Sequence, residues 1–482
     1  MLDSYLKGKV MRVRTRLLLP LGIAIAAFAL SVSIAGASTT SFSNQTLFGT
    51  WDPTGSGLTI GPAFSGSGTP PNSSGDSEPA IAFADDGTMA VDGLGWLPFQ
   101  VNVWTGTFGS TPSYFGGLDQ VVPSHGNRLT LGDEDADIEF TSAGTMLLAD
   151  LNVIFNPNFN NAQLGVDVTR CTDPSDASSC TTTVLDQTNS DRPWITHRGT
   201  TVWVSYHDSG NSSLIHVQQS TDDGRTWHKV SSPITGQGPD TGKATFNNDQ
   251  GPIVADPNSD YLYDVYASGI QQTKSHSAHF NNIFVSRSTD GGKTWEANLV
   301  HSAPIGTALN NIFPSMTVDQ TTGTVYAVWT DSHTVWVSSS TDHGKTWTSP
   351  TDVSTNAADL GTTLMPWVAA RGGKVDVVFY GSTSAQDDPA AVWNVYDSQL
   401  NGGSWSIDNL VSNTPNRVGA VCTEGSACAG NTNRELLDLF EVAEDPLSDK
   451  AAIIYTSSEI SIYMTPDGVV HKLPEIVLAY EQ

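Results

Sequence analysis

The sequence predicts an all-β chain folded as a β-propeller of four-stranded antiparallel blades, with seven blades favoured over six. Three observations carry the prediction. An eight-residue figure, Ser-Thr-Asp-x-Gly-[Lys/Arg]-Thr-Trp, stands at Ser220–Trp227, Ser288–Trp295 and Ser340–Trp347, and such a recurrence marks a repeat architecture. Seven segments share an inner-strand signature, beginning at Glu78, Asp135, Asp191, Gln250, Phe313, Met365 and Leu437. Their spacing of roughly 50 to 75 residues suits one blade with its loops. Alternating second strands follow, TVWVSYHD, YLYDVYAS, TVYAVWTD, KVDVVFYG and AAIIYTSS among them, as expected of strands packed face to face. Closing such sheets into a ring hides edges that an open sheet would expose.

Taken in order, the chain of 482 residues begins with Lys7, Lys9, Arg12, Arg14 and Arg16 ahead of the apolar run Leu17 to Leu30, and Ala35-Gly36-Ala37 precedes Ser38. This reads as a secretory signal peptide over residues 1–37, an uncleaved membrane anchor being the rival reading. Cleavage would leave 17 basic against 49 acidic residues, a net charge of −32. A surface of that sign repels nucleic acid and anionic membrane, so neither is an expected partner of the mature, secreted chain. Residues 38–76 are a Ser/Gly/Thr/Pro-rich linker whose apolar patches, TLFGTW and LTIGPAF, are candidates for a closing strand, because the last segment shows only three strands of its own. The propeller then covers residues 77–482.

The four cysteines form two close pairs, Cys171 with Cys180 and Cys422 with Cys428. An oxidising compartment favours two local disulfides, with a zinc site as the alternative. The first pair falls in the second blade's hairpin between strands 3 and 4, and the second staples the long connection over about residues 411–436.

Each repeat follows an alternating run, so it is a hairpin turn between strands 3 and 4. Its Asp can accept from turn amides, its Gly supplies a positive φ, and its Trp packs beside the strands. The residues concerned are Asp222, Gly224 and Trp227, then Asp290, Gly292 and Trp295, then Asp342, Gly344 and Trp347. Ser-x-Asp-x-Gly-x-Thr-Trp is the Asp-box, or BNR repeat, and on these three copies the chain resembles the sialidase (neuraminidase) superfamily of β-propellers. The resemblance implies that the boxes lie away from the active site. Antiparallel order agrees, since it puts them on the face opposite the mouth.

The same topology gathers Glu78, Asp135, Asp137, Asp191, Arg192, Asp249, Asn310, Asp438 and Glu441 at or near the mouth, with Tyr206, His207, Asp208 and Asp331 from second strands. Carboxylates around a concave mouth suit glycoside hydrolysis, which needs one group to protonate the leaving oxygen and a second to attack or activate water. Candidate catalytic residues are Asp135, Asp137, Asp191, Asp208, Glu441 and Tyr455, the last with Glu441 or Glu435 as partner. Arg192, Arg417, Arg434 and His207 are candidate substrate contacts, and Lys274, His276 and His279 mark a long rim loop. The resemblance implies three arginines on a substrate carboxylate, matched to it by their planar forks, and a Tyr nucleophile activated by Glu. The Arg-Ile-Pro that opens sialidase domains is absent; Asp191-Arg192-Pro193 comes closest, in the third segment. Arg128 is a fourth rim arginine.

No cofactor is required. Calcium is possible, at Gly132–Asp137, whereas Asp256–Asp260 suits an Asx turn better. Two functions are carried forward: a secreted monomeric propeller that binds an extracellular glycan or protein ligand on its top rim without a complete sialidase site, and an extracellular glycoside hydrolase resembling an exo-α-sialidase.

Overall fold

Seven inner strands, one per blade, pack side by side in a closed circle, each against the next and the seventh against the first. A computed structural model describes residues 40–51, 55–63, 73–96, 99–118, 129–155, 162–208, 214–234, 248–269, 280–354, 360–406, 409–428 and 433–482. The expected signal peptide, Arg128 and the loop residues Lys274, His276 and His279 lie outside them.

The architecture is a seven-bladed β-propeller of antiparallel sheets. Blade I has its inner strand at Ile81–Phe83, blade II at Leu129–Phe140, blade III at Ser190–Arg198, blade IV at Asn248–Ala255, blade V at Ser315–Val318, blade VI at Thr362–Arg371 and blade VII at Glu441–Glu444. In each of blades II to V three further strands follow outward in chain order. The second strands are buried along almost their whole length, as in Leu262–Ser268 and Val325–Thr330. Both faces of each pack against neighbouring blades, which explains their near-continuous apolar pattern.

Blade VII takes its outermost strand from the other end of the chain. Phe42–Leu47 pairs antiparallel with Val470–Glu481, Phe42 opposite Glu481 and Leu47 opposite Ile476. The patch Thr59–Pro62 pairs with the far end of Ala451–Met464.

The three repeated turns form the same internal bonds. In the first, Asp222 accepts from the Thr226 amide at 2.8 Å and the Thr226 hydroxyl at 2.7 Å, the Gly224 amide donates to the Ser220 hydroxyl at 2.9 Å, and the Trp227 indole donates to the Gly224 carbonyl at 3.1 Å. Asp290 and Asp342 make the matching bonds to Thr294 and Thr346. Gly224, Gly292 and Gly344 all have positive φ, between 74° and 87°. The variable residue reaches the preceding blade. Asp223 accepts from Thr141 at 2.7 Å, Thr145 at 2.8 Å and the buried Arg170 guanidinium. The Gly291 carbonyl accepts from the Trp203 indole at 3.1 Å. His343 stacks on Tyr261 with ring centroids 4.2 Å apart. Each turn contributes about 1 kcal/mol per bond, whereas each large apolar side chain fully buried contributes about 1.5–3 kcal/mol. Packing between blades therefore supplies most of the stability, and the turns fix its register.

Cys171–Cys180 bridges the third and fourth strands of blade II, and Cys422–Cys428 staples the connection between blades VI and VII. The only helical segments among the described residues are two short 3-10 turns, Ala177–Ser179 and Gly425–Cys428. None is long and apolar enough to cross a membrane.

Trp194 of blade III meets Phe313, just before blade V, and Trp367 of blade VI, at 5.2 and 5.4 Å between ring centroids. Blades III and VI are not neighbours, so these rings meet across the axis and plug the channel. Below the plug lies a cavity of about 410 Å³ walled by the inner strands of all seven blades. Above it is the mouth.

Candidate functional site

The mouth owes its side chains to an irregularity at the start of the inner strands. In blade III the pairing runs Asp191 with His207, then jumps to Trp194 with Ser205, leaving Arg192-Pro193 as a bulge. Blades IV and VI jump in the same way around Gly251-Pro252 and Met365-Pro366, and blade II around Asp135. Proline is tolerated there because the bulge needs no ladder N–H, and the bulge re-aims the residue beside it. Glu78, Asp135, Arg192, Met365 and Leu437 all have left-handed φ, between 41° and 55°. Such a conformation costs roughly 1–3 kcal/mol in a non-glycine residue and clusters at functional sites.

Three carboxylates meet here. Glu78, Asp135 and Asp438 each place an oxygen within 4.8 Å of the other two. The Glu78 carboxylate accepts from the Asp438 amide at 2.9 Å. Burial, and then the negative charges of Asp135 and Asp438, lift the Glu78 carboxyl well above the ordinary range. Arg434 forks onto Asp438 at 2.8 and 3.1 Å. Arg192 reaches Asp249 at 2.8 Å and Asp438 at 3.6 Å and lies over the Phe313 ring. Asn310 donates to the other Asp249 oxygen at 2.7 Å. Burial would discharge Arg192, but Asp249 and Asp438 hold it protonated.

Each predicted residue can now be placed. Asp135, Arg192 and Arg434 share the mouth, with Asp191 close enough to act on the charge of Arg192. His207 pairs opposite Asp191, and burial and then Arg192 keep its ring neutral to lower pH. Asp208 faces away toward His216, 3.8 Å off. Asp137 and Glu441 are not at the mouth: they lie two and four residues beyond the left-handed position of their strands and wall the lower cavity. There Asp137 accepts from the Ile195 amide at 2.8 Å and Glu441 from the Ile81 amide at 3.0 Å, each tying one blade to the next. Tyr455 is also displaced. Its hydroxyl donates to Asn44 of the closing strand at 2.6 Å, and burial, then Tyr380, raises its pKa. Among the described residues no hydrogen bond joins it to Glu441 or Glu435. Glu435 pairs instead with Arg417 at 3.0 Å.

The three rim arginines therefore do not converge on one point. Arg192 and Arg434 share Asp438, while Arg417 is held by Glu435, the Ser458 hydroxyl and the Ala420 carbonyl. The trio offers three carboxylate oxygens to a divalent cation, and two guanidinium groups already compensate Asp438. Of Gly132–Asp137, the side chains before Asp135 lie outside the described ones. Asp256 caps its own turn, accepting from the Asn258 amide at 2.9 Å, as an Asx turn does.

Beside the mouth opens a pocket of about 630 Å³ that spacing did not foretell. Arg434 lines it and links it to the carboxylate trio. Its outer wall is the end of the blade VII hairpin, where Ser461–Met464 pairs with Val470–Leu473. The turn Pro466-Asp467-Gly468 was the available signal that this hairpin outruns its neighbours.

No family model matches the sequence, and no curated protein matches it. Among solved structures, the chain is similar to an α-L-arabinanase of Penicillium chrysogenum complexed with arabinobiose, at 12% identity over 71% of this chain and 93% of that one, with a TM-score of 0.46. A protein of unknown function from Dyadobacter fermentans is similar at 12% identity over 93% and 100%, TM-score 0.45. The lectin of Aleuria aurantia is similar at 13% identity over 70% and 96%, TM-score 0.41.

Proposed function

We propose that the protein is an exported, monomeric propeller that binds a glycan on its top rim and does not carry a complete sialidase site. The observation that carries this reading is the double use of Asp438: Arg192 and Arg434 both pair with it, so two of the four expected rim arginines already have their forks engaged. A sialidase-like clamp needs its arginine forks free for the substrate carboxylate. Tyr455, buried against Asn44 and without a carboxylate partner among the described residues, offers no activated nucleophile. Export is supported by the basic and apolar N-terminus and by two disulfides. No cofactor is needed for binding of this kind.

A hydrolytic reading keeps one specific support, the Glu78–Asp135 pair. A protonated carboxyl beside a second carboxylate is what acid catalysis of glycosidic cleavage requires. The full-length protein recovered after export should bind on a glycan array and release no product from a panel of fluorogenic glycosides, sialosides included. Turnover abolished by Glu78→Gln would replace the binding reading with the hydrolytic one, and silence on every glycan would end both.

A further inference from the structure

We infer that the pocket beside the mouth is the ligand site, and that it takes one or two units of an acidic saccharide, carboxylated or sulfated. The inference rests on the glycan-binding reading above and adds a place and a chemistry to it. At about 630 Å³ the pocket has the size of a small-molecule site.

Its walls come from three blades. Trp96 ends the second strand of blade I and is oriented by its indole N–H, which donates to the Ser77 hydroxyl at 2.7 Å. Across from it, Tyr463 and His471 are register partners on the blade VII hairpin and stack with centroids 4.9 Å apart and planes 16° from parallel. The floor is the Arg417–Ala420 stretch, whose first two residues pair with the third strand of blade VI. The Trp393 indole fixes the turn by donating to the Gly419 carbonyl at 2.9 Å. Two flat, half-buried aromatic surfaces can receive the C–H face of a sugar ring, their apolar bodies stacking while their polar edges stay in contact with water.

Charge decides the class of sugar. The chain carries a formal net charge of −28 and only 22 basic residues, yet Arg417, Arg434 and Lys472 all line this one pocket. Glu435 is the single carboxylate among the lining residues, and burial disfavours its charged form. Each cation is already engaged, Arg434 by Asp438, Lys472 by Glu459 and the Val418 carbonyl, and Arg417 by Glu435. Their positions are thus set before any ligand arrives, which lowers the ordering cost of binding. Asn433 adds a buried side-chain oxygen without a hydrogen-bond partner among the described residues, an acceptor for a sugar hydroxyl. Three cations against one lining carboxylate, in an otherwise acidic molecule, favour an anionic ligand over a neutral one.

The test is calorimetric titration of the full chain with oligogalacturonate, a sulfated chondroitin oligosaccharide and a neutral cello-oligosaccharide. The acidic probes should bind more tightly than the neutral one, and more weakly as salt rises. Trp96→Ala and Lys472→Gln should each lower the affinity about tenfold or more, with the milder Trp96→Phe and His471→Gln serving if either stronger variant melts early. The two acidic probes separate carboxylate from sulfate recognition. Equal or tighter binding of the neutral probe would overturn the charge argument. Undiminished binding in the pocket variants would move the site elsewhere and leave the glycan reading standing. Failure of the wild-type chain to bind any of the three or any array glycan would remove that reading as well.

Discussion

The backbone amide of Asp438 donates to the Glu78 carboxylate at 2.9 Å, joining residues 360 positions apart. This bond crosses the seam between the last blade and the first. Below the plug the same seam is crossed again, where Glu441 accepts from the Ile81 amide. The Glu78 amide adds a third crossing by donating to the Thr456 hydroxyl at 3.1 Å. Carboxyl groups at this seam thus hold the ring shut as well as shaping the mouth.

Glu441 offers a direct check on that structural role. Burial, then the charge of Asp137, raises its pKa well above the ordinary range, so a neutral amide should replace it with little loss. Glu441→Gln is expected to stay within about 1 kcal/mol of wild type in urea unfolding, while Glu441→Ala, which orphans the Ile81 amide, should cost about 1–3 kcal/mol. Equal losses in the two variants would contradict the neutral-acceptor role.

Asp223 should be more sensitive than its place in a surface turn suggests. It neutralises Arg170, which is 7% exposed, and receives two threonine hydroxyls from blade II. Asp223→Ala would leave a buried guanidinium uncompensated and is expected to cost about 3–5 kcal/mol. Asp222→Ala, which disturbs bonds within the turn and leaves no buried charge unpaired, should cost less; denaturant midpoints of the two variants give the ranking.

Stability should fall as the medium turns alkaline. Burial lifts the carboxyls of Asp76 to about 8 and Asp92 to about 7. A carboxyl raised in the folded state stabilises fully below its unfolded pKa, near 4, and that contribution is lost as pH climbs through the folded value. Asp186 works the other way: Lys229 and Thr188 outweigh burial and hold it down at about 2, so its contribution is lost only in strong acid. Unfolding free energies measured across pH should therefore peak in mild acid and decline toward pH 8. Asp92→Asn should flatten the decline; an unchanged slope would show that Asp92 is not titrating there.

Removing residues up to Leu47 takes the outermost strand from blade VII and bares one edge of Val470–Glu481. The truncated chain is expected to melt earlier and to form higher oligomers through that edge, which size-exclusion chromatography would reveal. A monomer of wild-type melting temperature would show the strand to be dispensable.

What the sequence made legible was whatever depends on neighbours in the chain. The repeated turn could be read outright because Ser, Asp, Gly, Thr and Trp bond to one another within eight residues. The work of its variable position could not, since the partners of Asp223, Gly291 and His343 belong to the preceding blade. Alternation locates the inner strands but gives no depth along the axis, so it cannot separate Asp137 and Glu441 from Asp135, although an aromatic plug lies between the levels. Tyr455 reads as a rim residue because nothing near it in sequence reveals that Asn44 takes its hydroxyl. The Pro after Glu78, Arg192 and Met365 hinted at the bulge, yet a left-handed φ is a property of the closed ring. Trp96, Tyr463 and Lys472 come together only when blades I and VII adjoin, so no local pattern announced the pocket.

The pairing of Phe42–Leu47 with Val470–Glu481 has a temporal side. During synthesis Phe42–Leu47 must stay unpaired until the whole stretch between it and Val470–Glu481 has emerged. Until then the blades are an open necklace, and its clasp can fasten only when both of these strands are present.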